Sequence, residues 1–271
     1  MDSFAKKVRS DGIPEKVFKG CRNIGAIPFM DDMNGLDLFW AEKGEGYCLL
    51  AVHGFSSCFY TWRSLFKGLG KGFRVVTPDL PGFGCSGDPL NEDYSLESYC
   101  RVLEAFAERQ RLGPLTLCGH SYGGLICWML AARCPELVER IILVSPSVPR
   151  AERSSVGNVD NLMLYAYSDL SVLDSIAFDV YRAANIRTPG PLKRLQRFPD
   201  VPSLSEEREL PCLMIWGSED RIIPPSNAEG WCNRHPGTLL EVFYGAGHCP
   251  HEESPDLFVR KVRVFLQQDK E

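Results

Sequence analysis

The sequence predicts an α/β fold in which a mostly parallel sheet is covered on both faces by helices. Three observations predict it. Strand-like and helix-like runs alternate from residue 24 to the end of the chain, the rhythm of parallel strands joined by crossover helices. Asn34-Gly35 separates the first two strand-like runs, a two-residue hairpin signal that makes one of that pair antiparallel to the rest. Near the middle, the apolar run Leu115–Cys118 passes directly into the apolar run Leu125–Ala132 through Gly119-His120-Ser121-Tyr122-Gly123. That turn is too tight for side chains at Gly119 and Gly123, and it pushes the Ser121 hydroxyl out at the strand tip.

In chain order, the predicted strands are Ile24–Met30, Leu36–Trp40, Tyr47–Val52, Phe73–Thr77, Leu115–Cys118, Ile141–Val144, Cys212–Trp216 and Leu239–Phe243. A helix is predicted over Ser95–Gln110, with Ser95 as N-cap. Another follows the central serine over Leu125–Arg133. A third closes the chain over Pro255–Gln268, where Leu257, Phe258, Val262, Phe265 and Leu266 recur at helical spacing. The alternation breaks between Pro146 and Leu210. Five aspartates and Thr188-Pro189-Gly190-Pro191 interrupt it, while Leu162, Met163, Tyr165, Leu170, Leu173, Ile176, Phe178 and Tyr181 supply more apolar surface than a linker needs. We expect residues 1–146 and 211–271 to form the core and 147–210 a helical cap inserted over the mouth of the sheet. The plainer alternative is a surface insertion covering nothing functional.

Composition excludes several function classes. At 271 residues, with 44% hydrophobic and 24% charged residues, the chain suits one globular core. A formal charge of −5 leaves no electrostatic footprint for nucleic acid or an anionic membrane. No stretch approaches the ~20 apolar residues that span a bilayer. Met1–Lys19 is charged throughout and lacks the apolar centre of a secretory signal, so it is expected to fray or lie on the surface. Eleven cysteines form an odd set without a Cys-x-x-Cys pair or zinc-type histidine spacing, and most lie in apolar runs. That usage fits a reducing compartment, and a cytoplasmic location is expected.

A serine hydroxyl is a poor nucleophile at neutral pH and needs a base, which in turn needs an orienting group. At an elbow of this kind both follow the serine in the chain, acid first. Among the histidines after Ser121, His235 sits at a helix end before Pro236-Gly237 and reads as an exposed cap. His248 follows Gly245-Ala246-Gly247 just past the last predicted strand, where a glycine loop can lift an imidazole to the strand tips; His251 is expected as its capping or hydrogen-bonding neighbour. The loop after Cys212–Trp216 carries Glu219 and Asp220, and Asp220 is preferred because it stands directly before Arg221-Ile222-Ile223-Pro224. Two donors for a developing oxyanion are expected from the backbone N–H groups of Tyr122 and Phe55, the latter in His53-Gly54-Phe55-Ser56-Ser57. His53 reads as a structural residue that holds this loop.

With these residues in view, the chain resembles the α/β-hydrolase superfamily from about Asn23 to Leu266. His53-Gly54-Phe55, Asp79-Leu80-Pro81-Gly82-Phe83-Gly84-Cys85-Ser86, Gly119-His120-Ser121-Tyr122-Gly123-Gly124, Trp216-Gly217-Ser218-Glu219-Asp220 and Gly247-His248 stand in the family's order and spacing. The resemblance implies an eight-stranded sheet with an inserted lid, a structural role for the Asp79–Ser86 turn, and hydrolysis without metal or organic cofactor. It points to the capped esterase, lipase-like and carbon–carbon-bond hydrolase branches; epoxide hydrolases and haloalkane dehalogenases place aspartate where Ser121 stands. Two features depart from the pattern: the insertion is short, and Cys249 follows His248 where bulky aromatics are common. The expected activity is hydrolysis of carboxylic esters with an apolar portion. Thioester cleavage, carbon–carbon-bond hydrolysis and a ligand receptor on the same scaffold are the alternatives.

Overall fold

The computed structural model describes residues 13–89, 91, 93–147, 166–185 and 210–267. Its centre is an eight-stranded sheet: β1 (Ile27–Asp32), β2 (Asp37–Lys43), β3 (Gly46–Val52), β4 (Gly72–Pro78), β5 (Leu115–His120), β6 (Val138–Val144), β7 (Cys212–Gly217) and β8 (Thr238–Phe243). The strands lie in the order β1-β2-β4-β3-β5-β6-β7-β8. β2 runs antiparallel to both of its neighbours, and every other pair is parallel. The hairpin is tight, as expected. Met33 N–H donates to Leu36 O at 2.7 Å, and Asn34 and Gly35 both take the positive φ that such a turn requires, 59° and 92°.

The inner parallel strands are apolar at nearly every position because both of their faces are covered. Leu49, Ala51, Cys118, Ile142, Val144, Leu213 and Ile215 point into one core. Their sequence neighbours Leu50, Val52, Leu117, Ile141, Leu143, Met214 and Trp216 point into the other. The first face is covered by α1 (Glu15–Ile24), α2 (Arg63–Gly68), α5 (Ser175–Asn185) and α8 (Pro255–Gln267). The second is covered by α3 (Leu96–Arg109), α4 (Tyr122–Arg133) and α6 (Ser226–Arg234). One further short helix, α7 (Pro250–Glu253), follows β8. Ser95 caps α3, accepting from Ser98 N–H at 3.1 Å.

Several expectations are corrected. Ile24 does not begin the first strand: it ends α1, and Gly25 then turns the chain at φ 66° so that β1 starts at Ile27. Residues 13–19 do not fray, because Val17, Gly20, Cys21 and Ile24 share one helical face and bury it in the core. Residues 1–12 lie outside the described residues. His235 is not an exposed cap. It ends α6 half-buried, with its ring 4.7 Å from both Trp128 and Trp231. Helices α2 and α6 had no counterpart among the predicted elements.

Of the segment expected to form a cap, Leu162, Met163, Tyr165 and Thr188–Pro191 lie outside the described residues. Residues 166–185 supply a short 3-10 turn at Leu170–Val172 and helix α5. Helix α5 packs on α1, where Lys16 pairs with Asp179 at 2.8 Å. All eleven cysteines, each among the described residues, are thiols, and ten are buried.

Candidate active site

The loops after β3, β4, β5, β7 and β8 leave the sheet at one edge, the carboxyl ends of the parallel strands, where open α/β sheets form their crevices. Ser121 stands between β5 and α4 with φ 50° and ψ −116°, a conformation rarely taken by a residue with a side chain. The surroundings hold it there. Ser121 N–H donates to Val144 O at 2.9 Å, and its carbonyl accepts from Gly124 N–H at 3.0 Å and Ser147 N–H at 2.9 Å. The two motif glycines permit the close approach this needs. A Cβ at Gly119 would stand 2.5 Å from Gly123 O, and one at Gly123 would stand 2.3 Å from His53 O.

The predicted acid and base meet. Asp220 Oδ2 lies 2.7 Å from His248 Nδ1, with both residues buried. Asp220 Oδ1 accepts from Ile222 N–H and Ile223 N–H, each at 2.9 Å, so the carboxylate is held at both oxygens. A carboxylate at Nδ1 retains the proton on that nitrogen, which leaves Nε2 of the neutral ring as the basic lone pair. Glu219 turns away into solvent. The His248 backbone is fixed at both ends: its N–H donates to Ala166 O at 2.7 Å, and its carbonyl lies 2.9 Å from His120 Nε2. Since His120 immediately precedes Ser121 and its ring centroid is 4.9 Å from that of His248, the histidine loop sits against the serine turn.

The candidate oxyanion donors lie on the remaining sides. Tyr122 begins α4, so its N–H is at the positive end of a twelve-residue helix. Phe55 follows Gly54, where an added Cβ would meet His120 Nδ1 at 2.8 Å and Ser121 Cβ at 3.1 Å. The loop backbone therefore runs against the serine turn. Behind it, His53 Nε2 accepts from Leu80 N–H at 2.9 Å while its Nδ1–H donates to Gly54 O at 2.7 Å. Both ring nitrogens are used by the neutral form, and burial pushes the pKa down to about 4. His53 is a buckle between two loops. Asp79 is the next one: its carboxyl accepts from Phe59 N–H at 2.6 Å and Cys85 N–H at 2.8 Å. Burial pushes its pKa up to about 7, with these bonds opposing.

His251 is buried in α7 with Nε2 2.7 Å from Thr61 Oγ1, and Thr61 donates to Glu252 Oε1 at 2.7 Å. His251 was expected to cap or hydrogen-bond beside His248; its ring instead bonds to Thr61. Sequence reasoning passed over His120, which occupies a variable position of the serine motif, and over Glu252, which reads as an ordinary helix-start acid. Only their complete burial marks them, and no local pattern carries that. Among the described residues, no three or more His, Cys, Asp or Glu side chains converge as metal ligands, and no helix is long and apolar enough to cross a membrane.

The model of the Alpha/beta hydrolase family matches residues 49–261. The chain belongs to this family. Among similar members, the 2-hydroxy-6-oxo-2,4-heptadienoate hydrolase of Pseudomonas putida is 28% identical over 86% of this chain and 93% of its own length. The pimeloyl-[acyl-carrier protein] methyl ester esterase of Yersinia pseudotuberculosis is 26% identical over 86% of this chain and 98% of its own. Among solved structures, the meta-cleavage product hydrolase of Pseudomonas fluorescens superposes with a TM-score of 0.73 at 26% identity, covering 86% of this chain and 95% of that one. A bacterial membrane phospholipase A reaches 0.83 at 22% identity over 93% and 89%, a likeness of fold. The fold is therefore common ground between this chain and these solved structures.

Proposed function

We propose that this chain is a serine hydrolase that cleaves carboxylic esters through an acyl-enzyme on Ser121. His248 Nε2 takes the Ser121 proton as the oxygen attacks the acyl carbon, and Asp220 holds the resulting imidazolium. The tetrahedral oxyanion is received by Tyr122 N–H and Phe55 N–H. Collapse expels the alcohol with the proton from His248, and a water deprotonated by the same imidazole then releases the acid. The scheme calls for no metal or organic cofactor. A small ester with an apolar portion is the proposed substrate, and residues 147–210 are proposed as the cap that selects it, apart from α5, which packs on α1.

The observation carrying this reading is the 2.7 Å contact between Asp220 Oδ2 and His248 Nδ1, beside a serine held at φ 50°. A carboxylate so placed serves a histidine whose other nitrogen must accept a proton. A second reading is carbon–carbon-bond hydrolysis by the same residues, supported by the 28% identity to the heptadienoate hydrolase along most of both chains.

The test combines a fluorophosphonate probe with a substrate panel. Wild-type protein should be labelled and should hydrolyse p-nitrophenyl butyrate, whereas Ser121→Ala should do neither while unfolding at the same urea concentration as wild type. Undiminished turnover by Ser121→Ala would overturn the nucleophile. Rates on graded esters, acyl thioesters and 2-hydroxy-6-oxo-dienoates then separate the two readings by kcat/KM.

A further inference from the structure

Glu252 is almost wholly buried and accepts four donors, the full complement of a carboxylate. Tyr167 Oη–H and Thr61 Oγ1–H reach Oε1 at 2.7 Å each; Tyr181 Oη–H reaches Oε2 at 2.7 Å, and Arg63 Nη1 binds the same oxygen. Two of the four donors come from the segment inserted between β6 and β7, yet they do different things. Tyr181 lies on α5 and anchors that helix. Tyr167 follows Ala166, whose carbonyl accepts the His248 N–H.

These contacts close a ring. It runs from His248 N–H to Ala166 O, along the chain to Tyr167, from Tyr167 Oη to Glu252 Oε1, from Glu252 N–H to Cys249 O at 2.9 Å, and back to His248. The next residues repeat the tie. Ser168 N–H donates to Glu253 Oε2 at 2.8 Å, while Glu253 Oε1 accepts from Gly247 N–H at 2.9 Å. Both ends of the His248 turn are thus latched to three consecutive residues of the insertion. Tyr167 also lies against the Cys249 thiol.

We propose that Tyr167 is a positioning residue: the insertion, through its Ala166–Ser168 strap, holds the turn that carries the general base. This rests on the reading of His248 as that base. In the folded enzyme, the strap fixes the imidazole's distance from Ser121, and loss of the Tyr167 hydroxyl releases the turn on the side facing the insertion. Misplacement of a reacting group by about 1 Å is enough to cost up to roughly 100-fold in rate.

The experiment compares Tyr167→Phe with Tyr181→Phe. Each removes one hydroxyl from the same carboxylate and keeps the ring, so both should lower Tm by the same few degrees. Only Tyr167→Phe should slow fluorophosphonate labelling and kcat on p-nitrophenyl butyrate, by about 10- to 100-fold with KM unchanged. Tyr181→Phe should stay within about twofold of wild type, since the Ala166–Tyr167 ring remains closed. All rates are taken per folded molecule from the urea unfolding curve. Equal rates in wild type and both variants, or equal slowing in both variants, would overturn the positioning role. Wild-type protein that is neither labelled nor active would instead overturn the catalytic reading on which the role depends.

Discussion

Asp220→Asn exchanges one oxygen for an amide nitrogen, and the structure dictates which way that amide faces. Asp220 Oδ1 accepts from Ile222 N–H and Ile223 N–H at 2.9 Å, and Oδ2 faces His248 Nδ1 at 2.7 Å. If the new NH2 faced the loop, it would meet two backbone donors and lose two hydrogen bonds worth about 0.5–1.5 kcal/mol each. The amide oxygen therefore stays on the loop and the NH2 points at His248. An amide donor against Nδ1 requires that nitrogen to be unprotonated, which moves the imidazole proton to Nε2. A histidine in that tautomer cannot receive the serine proton. The wrong-tautomer penalty in a Ser–His–Asp triad is about 10⁴ in kcat, or about 5.4 kcal/mol at 1.36 kcal/mol per decade. Stability should change by less than about 1 kcal/mol, because the loop keeps both of its bonds. The assay is kcat on p-nitrophenyl butyrate beside a urea unfolding curve for the same preparation. A folded Asp220→Asn protein within tenfold of wild type would refute the reasoning, since His248 would then not need this carboxylate.

Two further outcomes follow from the packing. Gly123→Ala would place a methyl 2.3 Å from His53 O and 2.4 Å from Val52 O, both backbone atoms that cannot swing aside. The start of α4 must then lift off β3, at a cost of about 1–3 kcal/mol, and Tyr122 N–H moves with it; denaturation and kcat/KM should fall together. Stability should also fall on acidification from pH 6.5 towards 4. Burial pushes His53 down to about 4 and keeps His120 and His251 well below the ordinary 6.5, with neighbouring histidines adding to the effect for the latter two. In that window the unfolded chain binds protons that the native chain refuses, so each group removes up to about 1.4 kcal/mol per pH unit. Asp79, raised to about 7, acts in the opposite sense: its native form stays protonated while the unfolded form ionises, so its contribution is present below about 4 and lost as the pH rises to 7. Three histidines outweigh one carboxyl, and urea midpoints should drop from pH 6.5 to 5; a flat or rising profile would count against neutral buried imidazoles.

The inner strands were legible because a parallel strand buried on both faces needs no alternation. Ile141–Val144 and Cys212–Trp216 are continuous apolar runs, Leu115–Cys118 is broken only by Thr116, and all three lie inside the sheet. Helix α1 was hidden by its solvent face. Glu15, Lys16, Lys19 and Arg22 dominate its composition, while its buried stripe includes a glycine and a cysteine, both weak hydrophobic signals. Asp220 was preferred over Glu219 for its place directly before Arg221-Ile222-Ile223-Pro224, and in the fold Asp220 turns inward to His248 while Glu219 is exposed.

What the amino-acid order determines by itself is the set of parts, because tight turns, apolar runs and motif spacing are local. The apolar strand before Gly119-His120-Ser121-Tyr122-Gly123 and the apolar helix after it singled out Ser121 as a candidate before any partner was placed. Tertiary structure alone decided how those parts converge. Nothing in the linear chain marks His120 or Glu252, yet each is buried and bonded to a segment 128 or 191 positions away. Desolvation and hydrogen bonding depend on which atoms the fold brings within reach, and that distance is not written in the neighbours of any one residue.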